Sequence, residues 1–287
     1  MIAGGPRRIW LALLTVLTVT ALSGLVSALM VRYSPGYGVD STDLDPRLSA
    51  ETVRAIHERQ AVESNPLRFY VHYLGGVLRG DFGTSQSFQQ PIGDLLADRA
   101  PATVRLVLLG TSAGWLWAFS LAALTVHFRR PLWGAGAATI TGVLLAVPPS
   151  VFALLFYYAD APLTVAVGIM LVPRLYGTLR VLLESLSQSD LLIAARARGL
   201  RRGTLGVHYF LQLASGQLAS LFGIASVIAF GFAVPIEALC DHPGIGQLAW
   251  KAALSRDMPL LSAIALVVTV FVATIHTAGE LVAREDA

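Results

Sequence analysis

Charge is scarce in this sequence. Only 14% of its 287 residues are Asp, Glu, Lys or Arg, whereas a soluble globular domain carries about 25%. Cysteine is scarcer still. Cys240 stands alone, which excludes an intrachain disulfide and a zinc site built on cysteine pairs. Lys251 is the only lysine, every other Lys/Arg position being arginine, and no function follows from that bias. A Gly-rich phosphate loop ending in Lys-Ser/Thr is missing, so the chain has no ATPase motif of its own. No catalytic residues, resident metal or bound cofactor are expected from it. The formal charge of +3 is too small to suggest a nucleic-acid partner.

What is abundant is apolar surface, at 55% of residues. Crossing about 30 Å of hydrocarbon takes roughly 20 mostly apolar residues, and six segments qualify: about Ile9–Val31, Thr103–Val126, Leu132–Tyr158, Leu163–Leu183, Leu211–Val234 and Leu260–Val282. The third holds Pro148-Pro149 and the fourth is interrupted by Pro173 and Arg174, so both are expected to kink. No soluble domain of this size buries so much apolar helix. The fold class is therefore all-α integral membrane with six transmembrane helices.

Basic residues set the orientation. Arg7, Arg8, Arg129, Arg130, Arg196, Arg198, Arg201, Arg202 and Arg284 all fall on one side of a six-span chain. That side reads as the cytoplasm, with both termini on it. The opposite short loops carry Asp160, Glu237, Asp241 and Asp257 against Lys251 and Arg256. The chain then divides into residues 1–31 (cytoplasmic start and first helix), an extracytoplasmic loop at 32–102, and a five-helix core at 103–287 with a cytoplasmic loop at 184–209. The first apolar run is too long for a usual cleaved signal core and is read as a retained span.

In the outer loop, Pro46–Gln60 has a helical apolar stripe and Phe69–Leu78 reads as a second helix. Gly80-Asp81-Phe82-Gly83-Thr84-Ser85 has the chemistry of a tight turn: two glycines, with Asp81, Thr84 and Ser85 able to bond nearby backbone. Pro91–Ala100 reads as a helix leading into the second span, with Pro101 near that span's first turn. In the inner loop, Ala194-Ala195-Arg196-Ala197-Arg198-Gly199-Leu200-Arg201-Arg202 has small residues, a glycine suited to ending a helix, and arginines flanking Leu200. Such a segment suits docking to a partner groove. It equally suits a basic loop that only fixes topology, and the residues alone leave both open.

Several of these motifs resemble those of ABC importer permeases of the dipeptide, oligopeptide and nickel type. Ala195 to Leu200 is similar to the "ARAKGL" form of that family's "EAA…G" loop, although Ile193 stands where the glutamate would be and Gln212 where a later proline would be. Ser34-Pro35-Gly36, Gly80–Ser85, Pro91–Thr103, Pro173 with Arg180, and Glu237 to Pro259 (Pro243-Gly244-Ile245-Gly246 within it) resemble further family motifs. They follow in order along nearly the whole chain. The resemblance implies a type I permease fold and a coupling helix at Ala194–Arg202 seated in a cytoplasmic ATPase. It also implies a second permease (the same or a different chain), two ATPase subunits that bind ATP and Mg, and an extracytoplasmic substrate-binding protein. It places the protein in a bacterial inner membrane, importing peptides, nickel chelates or related solutes. Asp81, Gly83, Thr84, Ser85, Glu237, Asp241, Pro243 and Gly244 are the candidate outer-face contacts to the binding protein or a gating loop. Arg174 either lines the pathway or, more blandly, snorkels or pairs within the bundle. His276 and Glu280, at i,i+4 spacing, read as a pair near the inner surface. Two alternatives are a diverged structural permease and an ion-coupled secondary transporter. The second needs paired acids within the spans, where only His276/Glu280 stands out.

Overall fold

The computed structural model describes residues 10, 14–23, 25–26, 75–76, 79–128, 130–188 and 210–285. The coupling segment Ala194–Arg202, the outer-loop helix Pro46–Gln60, most of Phe69–Leu78, and the side chains of His276 and Glu280 lie outside the described residues. We number the helices α1 (Leu14–Ser23), α2 (Ile92–Phe128), α3 (Pro131–Ala146), α4 (Pro149–Tyr158), α5 (Leu163–Ser187), α6 (Phe210–Leu239), α7 (Ile245–Leu254) and α8 (Met258–Glu285). Among the described residues the only β feature is an isolated bridge between Thr84 and Pro91.

Ile92–Phe128, Leu163–Ser187 and Ala214–Leu239 are each long and apolar enough to cross a membrane. A fourth apolar stretch is α3 with α4, bent by 90° at its break. Pro149 lacks the N–H that an unbroken helix would need there, and Val147 and Pro148 are both extended. The Pro148-Pro149 pair therefore breaks the helix rather than merely kinking it. Pro173 behaves differently, for α5 runs through it as one helix. Pro101 likewise lies inside α2, which absorbs the expected helix at Pro91–Ala100 instead of starting beside the proline. The shorter apolar helices Leu14–Ser23 and Pro259–Ile275 fall within the first and sixth apolar segments of the sequence.

The chain forms two compact units. One contains residues 99–248 together with 1–12 and 274–287; the other contains 13–98 and 249–273. In the first, α5 is the central element. Ala166, Val167, Leu171, Leu175 and Leu179 are essentially inaccessible, and the helix packs against α3, α4 and α6. Its N-terminal half also meets α2, where small residues let two backbones approach. A Cβ on Gly110 would come within 2.6 Å of Val167, and one on Gly114 within 2.7 Å of the Gly168 carbonyl oxygen. Such contacts matter because lipid supplies no hydrophobic drive to pair helices, leaving close packing to do it. Trp117 covers Gly168 from the α2 side, and Trp115 stacks on Phe119 with centroids 5.4 Å apart, so both tryptophans serve packing. In the second unit, the Ser23 and Thr269 hydroxyls share a 2.8 Å hydrogen bond that joins α1 to α8.

The α2–α5 contact leads to a prediction. Gly114→Val forces a branched side chain into backbone, an overpacking that costs about 1–3 kcal/mol. The detergent-solubilised variant should aggregate at a lower temperature than the parent in a thermal-shift assay. Gly136→Val, where a Cβ meets nothing within 4 Å, should leave that temperature unchanged.

Candidate functional site

The motifs singled out on the outer face form two hydrogen-bonded clusters, one in each unit. The first is centred on Glu237, near the end of α6. Its carboxylate is wholly buried, and Oε2 accepts the Gly246 N–H at 2.7 Å. Oε1 has no partner at hydrogen-bonding geometry, although the Thr103 hydroxyl and the Gln247 N–H lie close to the carboxylate. Thr103, on α2, accepts the Ile245 N–H at 2.8 Å. Two free N–H groups at the start of α7 are thus satisfied by side chains from two other helices, as a helix N-terminus requires. The glycines of Pro243-Gly244-Ile245-Gly246 are needed sterically. A Cβ on Gly244 would lie 2.2 Å from the Glu237 carboxyl, and one on Gly246 would lie 2.6 Å from the Val234 backbone. Around this core, Arg99 donates to Gln247 at 2.9 Å, and Gln247 donates in turn to Asp241.

The second cluster is centred on Asp257, between α7 and α8, which is 1% exposed. Its Oδ2 accepts from the Ser85 hydroxyl at 2.5 Å, from the Ser87 N–H at 2.9 Å and from the Ser87 hydroxyl at 2.8 Å. Oδ1 takes the Leu260 N–H at 3.2 Å and so caps α8. Burial by itself pushes this carboxyl up, but the donors from Ser85, Ser87 and Leu260 outweigh it and hold it below the usual aspartate range. Ahead of Ser85 the chain forms the tight turn expected from the sequence. Gly80 and Gly83 have φ of 81° and 80°, conformations that glycine adopts without strain, and Asp81 accepts the Gly83 N–H at 2.9 Å.

The candidate contact residues therefore separate by exposure. Asp81, Gly83, Thr84, Asp241 and Pro243 are exposed, whereas Ser85, Glu237 and Gly244 are buried and turn no side chain to a partner in this state. Sequence reasoning did not single out Asp257, Thr103, Arg99 or Gln247 as structural partners. All four lie inside the quoted motifs, but their bonding partners are remote in sequence.

Elsewhere, Arg180 donates to Glu184 at 2.8 Å as an i,i+4 pair. Both line a cavity of about 570 Å³ with Arg130 and Thr125. Arg174 is exposed midway along α5, its guanidinium 5.0 Å from the centre of the Phe232 ring. Among the described residues it forms no ion pair, and the ring contact with Phe232 on α6 is a cation–π interaction within the bundle. A charge at bilayer mid-depth costs about 2.5–3.5 kcal/mol or more unless water or a partner meets it. Among the described residues no group of three or more His, Cys, Asp or Glu side chains could hold a metal ion.

Among the described residues, the long apolar helices and the broken α3–α4 pair suit a chain that crosses a membrane several times. Comparison with known proteins makes the class definite. The sequence profile of the binding-protein-dependent transport system inner membrane component family matches residues 107–284, and the chain belongs to that family. It is an ABC importer permease subunit. Curated relatives include the nickel import system permease protein NikB of Staphylococcus aureus. In strain USA300 this is 24% identical over 288 residues, covering 94% of this chain and 87% of the relative. In strain bovine RF122 / ET3-1 it is 22% identical over 285 residues, with the same coverage of both chains. Among solved structures, the inward-facing MetNI methionine ABC transporter superposes with a TM-score of 0.56 at 15% identity, over 67% of this chain and 96% of that one. At that identity the likeness concerns fold alone.

The Asp257 cluster leads to a pH prediction. Because the folded carboxyl titrates below its unfolded value, the stability it contributes is complete above the unfolded pKa. That stability is lost as pH falls through the lower, folded pKa. Asp257→Asn should cost about 1–3 kcal/mol at neutral pH, by leaving buried donors unsatisfied. Thermal unfolding in detergent should show the gap between parent and variant closing as the pH is lowered through and below the carboxylate range. A constant gap across that range would rule out the charged form as the source.

Proposed function

We propose that this chain, with a second permease, forms the translocation pathway of an ATP-driven importer in a bacterial cytoplasmic membrane. It spans that membrane six times with both termini inside. Its cargo is a peptide or a related small solute, with nickel chelates in the same class by analogy with the NikB relatives. The chain itself is not an ATPase. ATP and Mg bind to two cytoplasmic ATPase subunits, and an extracytoplasmic binding protein delivers the cargo. Ala194, Ala195, Arg196, Ala197, Arg198, Gly199, Leu200, Arg201 and Arg202 dock into the ATPase, Gly199 permitting close approach and the arginines meeting the rim of its groove. A ligand-driven change requires two states contacted differently by the driver, and this loop supplies the contact. Asp81, Gly83, Thr84, Asp241 and Pro243 present the outer surface to the binding protein, while Ser85, Glu237 and Gly244 hold that surface in shape.

The observation that carries this reading is the place of the Ala195-Arg196-Ala197-Arg198-Gly199-Leu200 motif. It lies inside the family-matched stretch, between the end of α5 and the start of α6. Purification in mild detergent should recover an ATPase, a second permease and a binding protein. Gly199→Asp should insert normally and lower binding-protein-stimulated ATP hydrolysis to the unstimulated level. Full stimulation in that variant would reject the coupling role. Recovery of the chain with no ATPase would reject the importer assignment of this segment altogether.

A further inference from the structure

Beside the turn from α2 to α3, on the side proposed to be cytoplasmic, the first unit holds a cavity of about 570 Å³. That is within the roughly 300–1,000 Å³ usual for small-molecule sites. Its walls come from the end of α2, the start of α3 and the last turns of α5. Arg130, Arg180, Glu184 and Gln188 supply polar groups, and Val126 and Ala135 supply apolar ones. Two guanidinium groups thus meet one carboxylate in this lining. Glu184 takes up only one edge of Arg180, accepting from its Nε at 2.8 Å, with the Tyr176 hydroxyl nearby. The two terminal nitrogens of Arg180 lie 3.6 and 3.9 Å from where a Cβ on Gly134 would stand. Gly134 therefore keeps clear the space beside them.

The surroundings say which anion fits. α3 exposes Leu132, Ile140 and Val143, a surface suited to acyl chains. At its start Trp133 stacks on Phe128 of α2, with ring centroids 5.5 Å apart. Trp133 is half exposed, and tryptophans of this kind sit at the level of lipid headgroups. The cavity is thus at headgroup depth, next to a wall of acyl-facing side chains. Basic cavities between spans on the cytoplasmic side suit anionic headgroups, and arginine offers a phosphate paired N–H donors. A soluble phosphate would gain the charge contacts but nothing from the apolar wall. A basic turn that only fixes topology explains Arg130. It gives no reason for Arg180, about two turns inside α5, to line the same space.

Resting on the permease reading above and its orientation, we infer that this cavity binds the phosphate headgroup of an anionic phospholipid of the inner leaflet. Arg130 and Arg180 hold the phosphate, and the acyl chains lie along α3.

The test uses the full chain purified in mild detergent with the subunits that accompany it. The sample is delipidated and titrated with dioleoylphosphatidylglycerol or dioleoylphosphatidylcholine, and native mass spectrometry counts the lipid retained per copy. The parent should retain phosphatidylglycerol at about one-tenth of the concentration needed for phosphatidylcholine. Arg130→Gln should cut that preference about fivefold, the scale of one arginine at an anionic surface, and Arg130→Lys should keep most of it. Gly134→Leu fills the space beside the Arg180 guanidinium and should remove the preference too. A thermal-shift scan checks that each variant is folded; should Gly134→Leu fail it, Arg130→Gln decides, since Arg130 is exposed. Equal retention of the two lipids by the parent, or a preference unchanged in either folded variant, would overturn the proposal. Displacement of the retained phosphatidylglycerol by millimolar inorganic phosphate would assign the site to a soluble anion and overturn it as well. So would retention confined to copies that have lost the ATPase, which would make the cavity a protein contact. Recovery of the ATPase is scored in the same spectra, so a failed importer assignment is told apart from a failed lipid site.

Discussion

The Glu237 carboxylate holding the Gly246 N–H at 2.7 Å is the contact on which the turn from α6 to α7 depends. Burial is the largest influence on this carboxyl and pushes its pKa up against the donors beside it, and backbone N–H groups at a helix start are the cheapest donors available, since they lack partners within their own helix. The consequences run outward from there. Gly244 and Gly246 have to be glycine because the carboxyl and the Val234 backbone occupy the space of a Cβ. Thr103 has to carry a hydroxyl because the Ile245 N–H needs an acceptor. One interaction therefore explains why residues on α2, α6 and α7 recur together in the quoted motifs. The same device appears independently at Asp257, whose two oxygens serve the loop at Ser85–Ser87 and the start of α8.

How much of this could be read in advance divides along the line between local and remote chemistry. The tight turn at Gly80–Ser85 was legible because its causes lie within six residues: two glycines at positive φ and an aspartate that accepts from the next glycine. The apolar segments were legible because hydropathy averages over a span. What joins Ser85 to Asp257, across 172 positions, has no local signature, since a serine and an aspartate in two loops could each bond elsewhere. The proline pair at 148–149 showed that α3–α4 departs from straightness but not by how much. A 90° bend follows from where the two halves pack.

The fourth apolar segment shows the limit of averaging most clearly. Pro173 and Arg174 interrupt it in sequence, yet α5 is unbroken and is the most buried of the three long spans, at 56% of its apolar window. The two observations agree once direction is considered. Pro173 faces the interior among apolar neighbours, while Arg174 projects from the uncovered side. A window mean assigns the cost of the arginine to the whole helix, whereas the helix bears it on one face only.

That difference between faces also bears on how force could travel. α5 ends at Ser187 and α6 begins at Phe210, so the proposed coupling segment is strung between these two helices, which pack against each other. One of them carries Arg174 and the other Phe232, 5.0 Å from it. On the proposed coupling role, the part of α5 next to that segment is its C-terminal half, whose stripe at Thr178, Val181 and Ser185 is exposed. The N-terminal half is held against α2 through glycines with no spare space. Close-packed contacts of that kind shift between discrete arrangements rather than deforming gradually. Arg174 stands at the boundary between the half of α5 packed tightly on α2 and its uncovered half.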